Sequence, residues 1–169
     1  IFFIPDRNLA NFVAEQVPEK HFIFNEGFCP VHENIQTDQI RKARKEHPDA
    51  EVLSHPECTQ KVLELSDYVG STSGIIKYAG KSGADEFIIC TENGVIAELE
   101  KRYPDKKFYF TDTVPVCGDM KLITLEKILH VLKTGENEVT LDEGLREESE
   151  KPLKDMLKLA KQAEQEKKD

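Results

Sequence analysis

Short apolar runs with strand character alternate with helical patterns of about ten residues, and no other feature restricts the possible folds as strongly. The runs lie at residues 2–4, 21–24, 51–54, 67–69, 86–90 and 108–110. The run 86–90 is almost entirely apolar, which is typical of a strand covered on both faces. We therefore predict an α/β fold made of three-layer α/β/α units, with parallel sheets built from βαβ units.

Short polar side chains precede most of the helical patterns. We expect them to act as N-caps, because their oxygens can accept hydrogen bonds from the free backbone N–H groups of the first turn. The expected caps are Asp6, Thr37, Ser73, Thr91 and Thr124, while Thr59 opens a further helix and Asp142 or Glu143 begins the long last one.

The charge of the chain argues against two classes of partner. With 169 residues and a formal net charge of −9, we expect it to bind neither nucleic acid nor an anionic membrane surface. No apolar run approaches the roughly 20 residues that span a bilayer. The chain opens on Ile1-Phe-Phe-Ile4 without a methionine, as if a core strand were already under way, so we expect it to belong to a longer protein.

The four cysteines are widely spaced, at Cys29, Cys58, Cys90 and Cys117, with no C-x-x-C pair among them. Wide spacing in an acidic chain favours reduced thiols over a disulfide framework, and hence a cytoplasmic location. It also disfavours a structural zinc site, whose ligands usually come as two closely spaced pairs.

The pattern around Cys29 is repeated around Cys117, 88 residues later. In both places a strand, a helix and a second strand lead to a loop with the cysteine, and a helix with a threonine at its start follows. A period of this length predicts one complete repeat unit over residues 30–117. Residues 1–29 would then end an earlier unit, and the helical segment 118–169 would start a further one.

A repeat of this kind would direct the thiols of successive units toward one axis. Three such thiolates could hold an iron–sulfur cluster with one iron open to a substrate atom. In that case Cys29 and Cys117 lie close together, while Cys58 and Cys90 lie elsewhere, Cys90 in the core. The alternative is that Cys29 and Cys117 are simply small buried hydrophobic residues.

Two polar segments follow neighbouring runs, and they are the candidates for chemistry. His55-Pro-Glu57-Cys58 follows the run 51–54, and Gly70-Ser-Thr-Ser-Gly74 follows the run 67–69. If both are turns after strands of one parallel sheet, they meet at its carboxyl edge, where open α/β sheets bind ligands. Hydroxyls and backbone N–H groups at a helix start would then bind a small anion beside a general acid or base. The alternatives are an ordinary strand-end turn and an ordinary helix cap. His32, three residues after Cys29, could line the same site as that cysteine, and its simpler interpretation is a surface loop residue.

Several separate motifs, in the same order, make the sequence similar to the quinolinate synthase family over essentially the whole chain. They are Pro5-Asp-Arg-Asn-Leu9, Cys29-Pro-Val-His32, His55-Pro-Glu-Cys58, Asp67-Tyr-Val-Gly-Ser-Thr-Ser-Gly74, Thr91-Glu92, Cys117-x-x-Met120-Lys121 and Thr124-Leu-Glu126. The family is built from three pseudo-threefold α/β/α units, so about half of that repeat would be present. The segment 118–169 would then complete the first unit.

The resemblance implies a reaction and a cofactor. The family condenses iminoaspartate with dihydroxyacetone phosphate to give quinolinate for NAD biosynthesis, and its [4Fe–4S] cluster acts as a Lewis acid. L-aspartate oxidase or aspartate dehydrogenase would supply the iminoaspartate. By motif, Cys29 and Cys117 resemble two cluster ligands and Glu57 resembles the acid/base glutamate. His55 resembles a substrate-binding histidine, and Ser71 with Thr72 resembles the loop that binds the substrate anion.

The sequence departs from the family pattern in three ways. The first unit, with the third cysteine ligand, and the front half of the second are absent from this chain, so we expect it to be inactive alone. Asp119 stands where the family usually has Asn, and Cys90 where it often has Gly. Two other functions stay open: a non-catalytic structural or assembly domain without the cluster, and a mononuclear metal- or phosphate-binding module.

Overall fold

A computed structural model of the chain describes residues 1–166. The strands are β1 (Phe2–Phe3), β2 (Ile23–Phe24), β3 (Glu51–Ser54), β4 (Tyr68–Val69), β5 (Glu86–Cys90) and β6 (Lys107–Tyr109). The helices are α1 (Arg7–Gln16), α2 (Pro30–Glu33), α3 (Thr37–Glu46), α4 (Gln60–Leu63), α5 (Thr72–Lys81), α6 (Val95–Arg102), α7 (Leu125–Thr134) and α8 (Glu143–Glu166). The last three residues of the predicted segment 118–169 lie outside the described part.

The strands form two parallel sheets. β1 pairs with β2, and the larger sheet has the order β4-β3-β5-β6 with every neighbouring pair parallel. In the central pair, Val52 lies opposite Ile88 and Ser54 opposite Cys90. The α/β class with parallel sheets is therefore confirmed, whereas the pseudo-threefold repeat stays a prediction.

Helices cover both faces of the larger sheet. On one face, Val52 and Ile88 pack with Ile40 of α3 and Val62 of α4. The strand residues in between point to the opposite face, because side chains alternate along a strand. There a second buried cluster joins the sheet to α5 and α6 through Leu53, Phe87, Ile89, Ile75, Ala79, Val95 and Leu99. This sheet between two helical layers explains why the run 86–90 is almost wholly apolar.

Of the five expected helix caps, two are confirmed and three are wrong. Thr37 is the first residue of α3 and not its cap, which is Gln36. Asp6 and Thr124 accept hydrogen bonds from Leu9 N–H and Lys127 N–H, as expected. The α5 cap is Ser71, not Ser73, and Ser71 accepts from Gly74 N–H. Thr91 caps no helix, since α6 starts only at Val95. Its hydroxyl instead lies 3.0 Å from Nε2 of His32, so a long-range contact replaces the local cap.

The described chain separates into two compact units, Ile1–Lys121 and the segment from Leu122 onward. In the second unit, α7 ends at Gly135, whose φ of 69° is the left-handed conformation that glycine adopts without strain. Neither α7 nor α8 has a buried side chain among its described residues. Apolar residues such as Leu132 and Leu157 are exposed along both helices. The assignment of residues 118–169 to another repeat unit stays a prediction.

None of the helices in the described part of the chain combines the length and the apolar character that crossing a membrane requires.

The first unit should depend on close packing around β5. Ile88 is fully buried, so Ile88→Val removes one methylene from a filled core, and we expect the free energy of unfolding to fall by about 0.5–1.5 kcal/mol. The matched control is Ile123→Val, because Ile123 is 68 % exposed and its replacement should change stability by less than about 0.5 kcal/mol. Urea unfolding of both variants measures the difference, and equal effects would contradict this packing.

Candidate active site

The candidate site lies where the order of the strands reverses. From β3 the chain passes to β4 on one side and then to β5 on the other, so the carboxyl ends of β3 and β5 flank the switch point. His55 and Glu57 follow β3, and Thr91 and Glu92 follow β5. The backbone pairing of β3 with β5 continues one residue past the end of β3, where His55 N–H donates to the Cys90 carbonyl at 3.1 Å. Open α/β sheets bind ligands at such switch points.

Two histidine rings and one carboxylate form the centre of the site. The rings of His32 and His55 are stacked, with centroids 4.5 Å apart and planes inclined by 17°. Glu57 Oε2 lies 3.0 Å from Nδ1 of His32 and 3.8 Å from Nδ1 of His55. Since Glu57 N–H donates to Nδ1 of His55 at 3.3 Å, this nitrogen is an acceptor and the neutral ring bears its proton on Nε2.

Burial keeps both rings neutral near pH 7. The pKa of His55 is lowered to about 4, mainly by loss of hydration and secondly by the neighbouring His32. Burial also lowers the pKa of His32, against the opposing attraction of Glu57. Among the described residues, no lysine or arginine forms an ion pair with Glu57, so a carboxylate between two neutral imidazoles can accept a proton from a bound molecule.

The low pKa of His55 predicts a pH dependence of stability. Below pH 6.5 the unfolded chain binds a proton at His55 that the folded chain binds only near pH 4. The free energy of unfolding should therefore fall as the pH decreases from 6.5 to 4, and His55→Gln should make that fall shallower. Urea unfolding at several pH values, with a proton NMR titration of the His55 ring, measures both effects. A ring that titrates at or above pH 6.5 would contradict its burial.

A cavity of about 450 Å³ opens beside this cluster. His32, His55, Glu57, Thr72 and Glu92 all line it. Ser71 does not belong to this lining, because its hydroxyl caps α5 and lies 3.2 Å from that of Ser73. Of the predicted substrate-binding residues, His55 and Thr72 therefore border the cavity directly, while Ser71 holds the start of the helix on which Thr72 lies.

The loops of Cys29 and Cys117 are held by the same type of contact. Cys29 N–H donates to Asp6 Oδ2 at 2.7 Å, and Asp6 lies after β1. Cys117 N–H donates to Glu92 Oε1 at 3.3 Å, and Glu92 lies after β5. In each case a nearly buried carboxylate after one strand binds the backbone of a cysteine 23 or 25 residues later. Both cysteines are half-buried free thiols.

Glu92 has three hydrogen-bond or ion-pair partners, whereas Asp6 has two. Burial opposes its ionisation, but hydrogen bonds from Lys121, Gly94 N–H and Cys117 N–H together lower its pKa. The Lys121 ammonium lies 2.9 Å from Oε1 and the Gly94 N–H donates to Oε2 at 2.6 Å. An ionised Glu92 therefore ties the loop after β5 to the loop of Cys117.

The other two cysteines have a different environment. Cys58 and Cys90 are fully buried in the apolar cluster between the sheet and helices α3 and α4. Cys58 Sγ donates to the Cys90 carbonyl at 3.4 Å. Burial raises the pKa of Cys58 far above its ordinary value and that of Cys90 to about 12, so both stay thiols. They belong to the core, as was expected for Cys90.

Sequence reasoning assigned no role to two residues of the site. His32 was considered for the site of Cys29, but a surface loop was the preferred interpretation. It is only 7 % exposed, because it packs between His55, Glu57 and Thr91. Glu92 was part of a motif without an assigned role. The only local signal for His32 was its position three residues after Cys29, at a Pro-initiated helix start.

A switch-point cavity with a carboxylate, neutral histidines and two nearby cysteine loops defines an α/β protein with an enzyme-like site. A family model described as quinolinate synthetase A protein (NadA) matches residues 1–158. The chain is 47 % identical over 160 residues to the quinolinate synthase of Clostridioides difficile, and 46 % identical over 160 residues to that of Caldicellulosiruptor saccharolyticus. It is 44 % identical over 160 residues to quinolinate synthase 2 of Methanosarcina acetivorans.

These alignments cover 95 % of the chain in all three cases but only 53 %, 53 % and 51 % of the relatives. The chain therefore belongs to the quinolinate synthase family and spans about half the length of the curated relatives it matches.

Proposed function

We propose that the chain is part of a cytoplasmic quinolinate synthase, which condenses iminoaspartate with dihydroxyacetone phosphate to form quinolinate for NAD biosynthesis. Family membership supports the enzyme class. The observation that supports the chemistry is the Glu57 carboxylate, set between two neutral histidines on the wall of a cavity. L-aspartate oxidase or aspartate dehydrogenase would provide the unstable imine.

Within this proposal Glu57 is the acid/base group. Condensation of an imine with a triose phosphate requires protons to leave carbon and nitrogen and to reach departing oxygens, and a half-buried carboxylate can serve both directions. His55 would hold an anionic or carbonyl group of the substrate through its protonated Nε2. Thr72 would add a hydroxyl at the first residue of α5, where free backbone N–H groups favour an anion.

Cys29 and Cys117 would be two of the ligands of an iron–sulfur cluster. Cys29 and Cys117 are free and half-buried, and their loops are fixed by carboxylates. Pro30, which follows Cys29 directly, lines the same cavity of about 360 Å³ as Cys117. When bound, a [4Fe–4S] cluster would supply a Lewis-acidic iron to polarise a substrate oxygen or nitrogen. The third cysteine ligand would come from the part of the enzyme that this chain does not include.

The test is an anaerobic preparation of the complete enzyme, assayed for iron, sulfide and quinolinate formation. We expect Cys29→Ser and Cys117→Ser each to lose bound iron and activity, whereas Cys90→Ala should keep both because Cys90 lies in the core. A wild-type enzyme without iron, sulfide or quinolinate formation would refute the proposal. It would favour a non-catalytic assembly domain, for which the exposed apolar residues of α7 and α8 would supply the contact surface.

The two hydroxyl residues of the anion loop should respond differently to substitution. Thr72→Ala removes a group on the cavity wall and should raise KM several-fold with little change in kcat, because such binding is shared by ground and transition states. Ser71→Ala removes the α5 cap and should lower the free energy of unfolding by about 1 kcal/mol. Steady-state kinetics and urea unfolding of both variants check this, and an unchanged KM for Thr72→Ala would remove Thr72 from the substrate site.

A further inference from the structure

We propose that, in the absence of an iron–sulfur cluster, Cys29, His32 and Glu57 form a mononuclear site for Zn²⁺ or a similar divalent transition-metal ion. Each of the three residues offers one ligand atom, and these atoms all lie within 4.8 Å of one another. Tetrahedral zinc with sulfur, nitrogen and oxygen ligands separates its ligand atoms by about 3.3–3.8 Å. The side chains therefore need to move only slightly to bind one ion.

His32 is the observation that points to a ligand. Its side chain is only 9 % exposed, and Nδ1 has no hydrogen-bond partner among the described residues. Glu57 Oε2 lies 3.0 Å from Nδ1, but outside hydrogen-bond geometry. Nε2 forms a hydrogen bond with the Thr91 hydroxyl at 3.0 Å. If the neutral ring carries its proton on Nε2 and donates it to the Thr91 hydroxyl, the Nδ1 lone pair faces the Glu57 carboxylate, and a divalent cation between the two would bind both atoms.

Each ligand residue is already oriented by a contact from another element. Asp6 binds the backbone N–H of Cys29, and Thr91 binds the ring of His32. The Asn8 side chain donates to the backbone carbonyl of Glu57 at 3.0 Å. Metal ligands in proteins are held by second contacts of this kind, since they reduce the entropy lost when the ion binds.

The ligand set also fits the charge and the chemistry of the ion. One thiolate, one carboxylate and one neutral imidazole balance a divalent cation, so the half-buried site would hold no net charge. Sulfur, nitrogen and oxygen together favour zinc or a neighbouring transition metal over Mg²⁺ or Ca²⁺. His32 and Glu57 border the cavity of about 450 Å³, which leaves room for water as the fourth ligand.

This site and the proposed cluster would exclude each other, because both need the sulfur of Cys29. A chain that never assembles a cluster would still bind the single ion, so an inactive enzyme would not remove this site. Conversely, the enzyme could be active with its cluster and yet bind no zinc once the cluster is removed. That result would refute the zinc site and leave the proposed function intact.

The experiment titrates the complete enzyme, prepared free of cluster and metal, with Co²⁺ and then displaces the cobalt with Zn²⁺. We expect one ion per chain, with the visible bands of tetrahedral cobalt and thiolate-to-cobalt charge transfer. Cys29→Ser should abolish the charge-transfer band, and His32→Ala should weaken affinity by at least about 100-fold. Thr91→Val, which loses the contact to His32, should weaken it by about 10–100-fold. Cys117→Ser is the matched control and should stay within about threefold of wild type.

Two results would overturn the proposal. One is an equal loss of binding in Cys117→Ser and Cys29→Ser, which would indicate a two-cysteine site. The other is a zinc X-ray absorption spectrum of the wild-type chain without a single sulfur at about 2.3 Å among nitrogen or oxygen ligands. The absorption measurement needs no variant, so it decides the matter even if the substituted chains do not fold.

Discussion

Glu57→Gln in the complete enzyme should lower turnover by about 10²–10⁴-fold while KM changes little. The substitution keeps the size of the side chain and its place between His32 and His55, but it removes the capacity to accept a proton. If Glu57 transfers protons only during the reaction, the loss falls on the transition state rather than on substrate binding. Steady-state kinetics of anaerobic enzyme with matched iron content measures it.

The matched control is Glu64→Gln, because Glu64 is an exposed carboxylate at the end of α4, in the same part of the chain. This variant should keep wild-type turnover. Near-normal turnover in Glu57→Gln would make Glu57 an ordinary residue of a strand-end turn. A variant that loses its iron together with its activity would instead indicate a structural role near the metal, so iron content must be measured in every preparation.

The fold could be predicted because its signals are local and periodic. The run 86–90 is buried on both faces, and an uninterrupted apolar sequence is the direct consequence. Asp6 and Thr124 cap the helices expected of them, since such a cap involves residues only three positions apart. The choice of Ser73 over Ser71 was wrong because both serines lie at the helix start, and the local sequence does not show which of them caps α5.

The candidate site could be predicted only in part, because its contacts join distant residues. The placement of His55 and Glu57 after a strand follows from the sequence, and so does their position at the carboxyl edge. The burial of His32 does not, since it depends on Thr91, which is 59 residues away. Thr91 looked like a helix cap for the same reason: nothing local shows that its hydroxyl has a partner in another loop. The role of Glu92 depends in the same way on Cys117 and Lys121.

Asp6→Ala should lower the free energy of unfolding by about 2–4 kcal/mol. One carboxylate oxygen caps α1 by accepting from Leu9 N–H at 2.8 Å, and the loss of a cap of this kind costs about 0.5–2 kcal/mol. The other accepts from Cys29 N–H at 2.7 Å, and an amide left without a partner in a half-buried position costs a further 1–3 kcal/mol, roughly. Asp6 itself is only 3 % exposed, so water cannot replace it without rearrangement.

Asp38→Ala separates these contacts from the general effect of an acidic residue at a helix start. Asp38 lies exposed in the first turn of α3, so its favourable interaction with the helix dipole is worth at most about 1 kcal/mol. Asp6→Asn should recover part of the loss, because its amide oxygen can still accept one of the two hydrogen bonds. Urea unfolding gives the three free energies, and hydrogen exchange at the Cys29 amide gives a local readout. Faster exchange at that amide in Asp6→Ala, but not in Asp38→Ala, would mean that Asp6 holds the cysteine loop as well as the helix. Unchanged exchange would mean that Asp6 acts only as a helix cap.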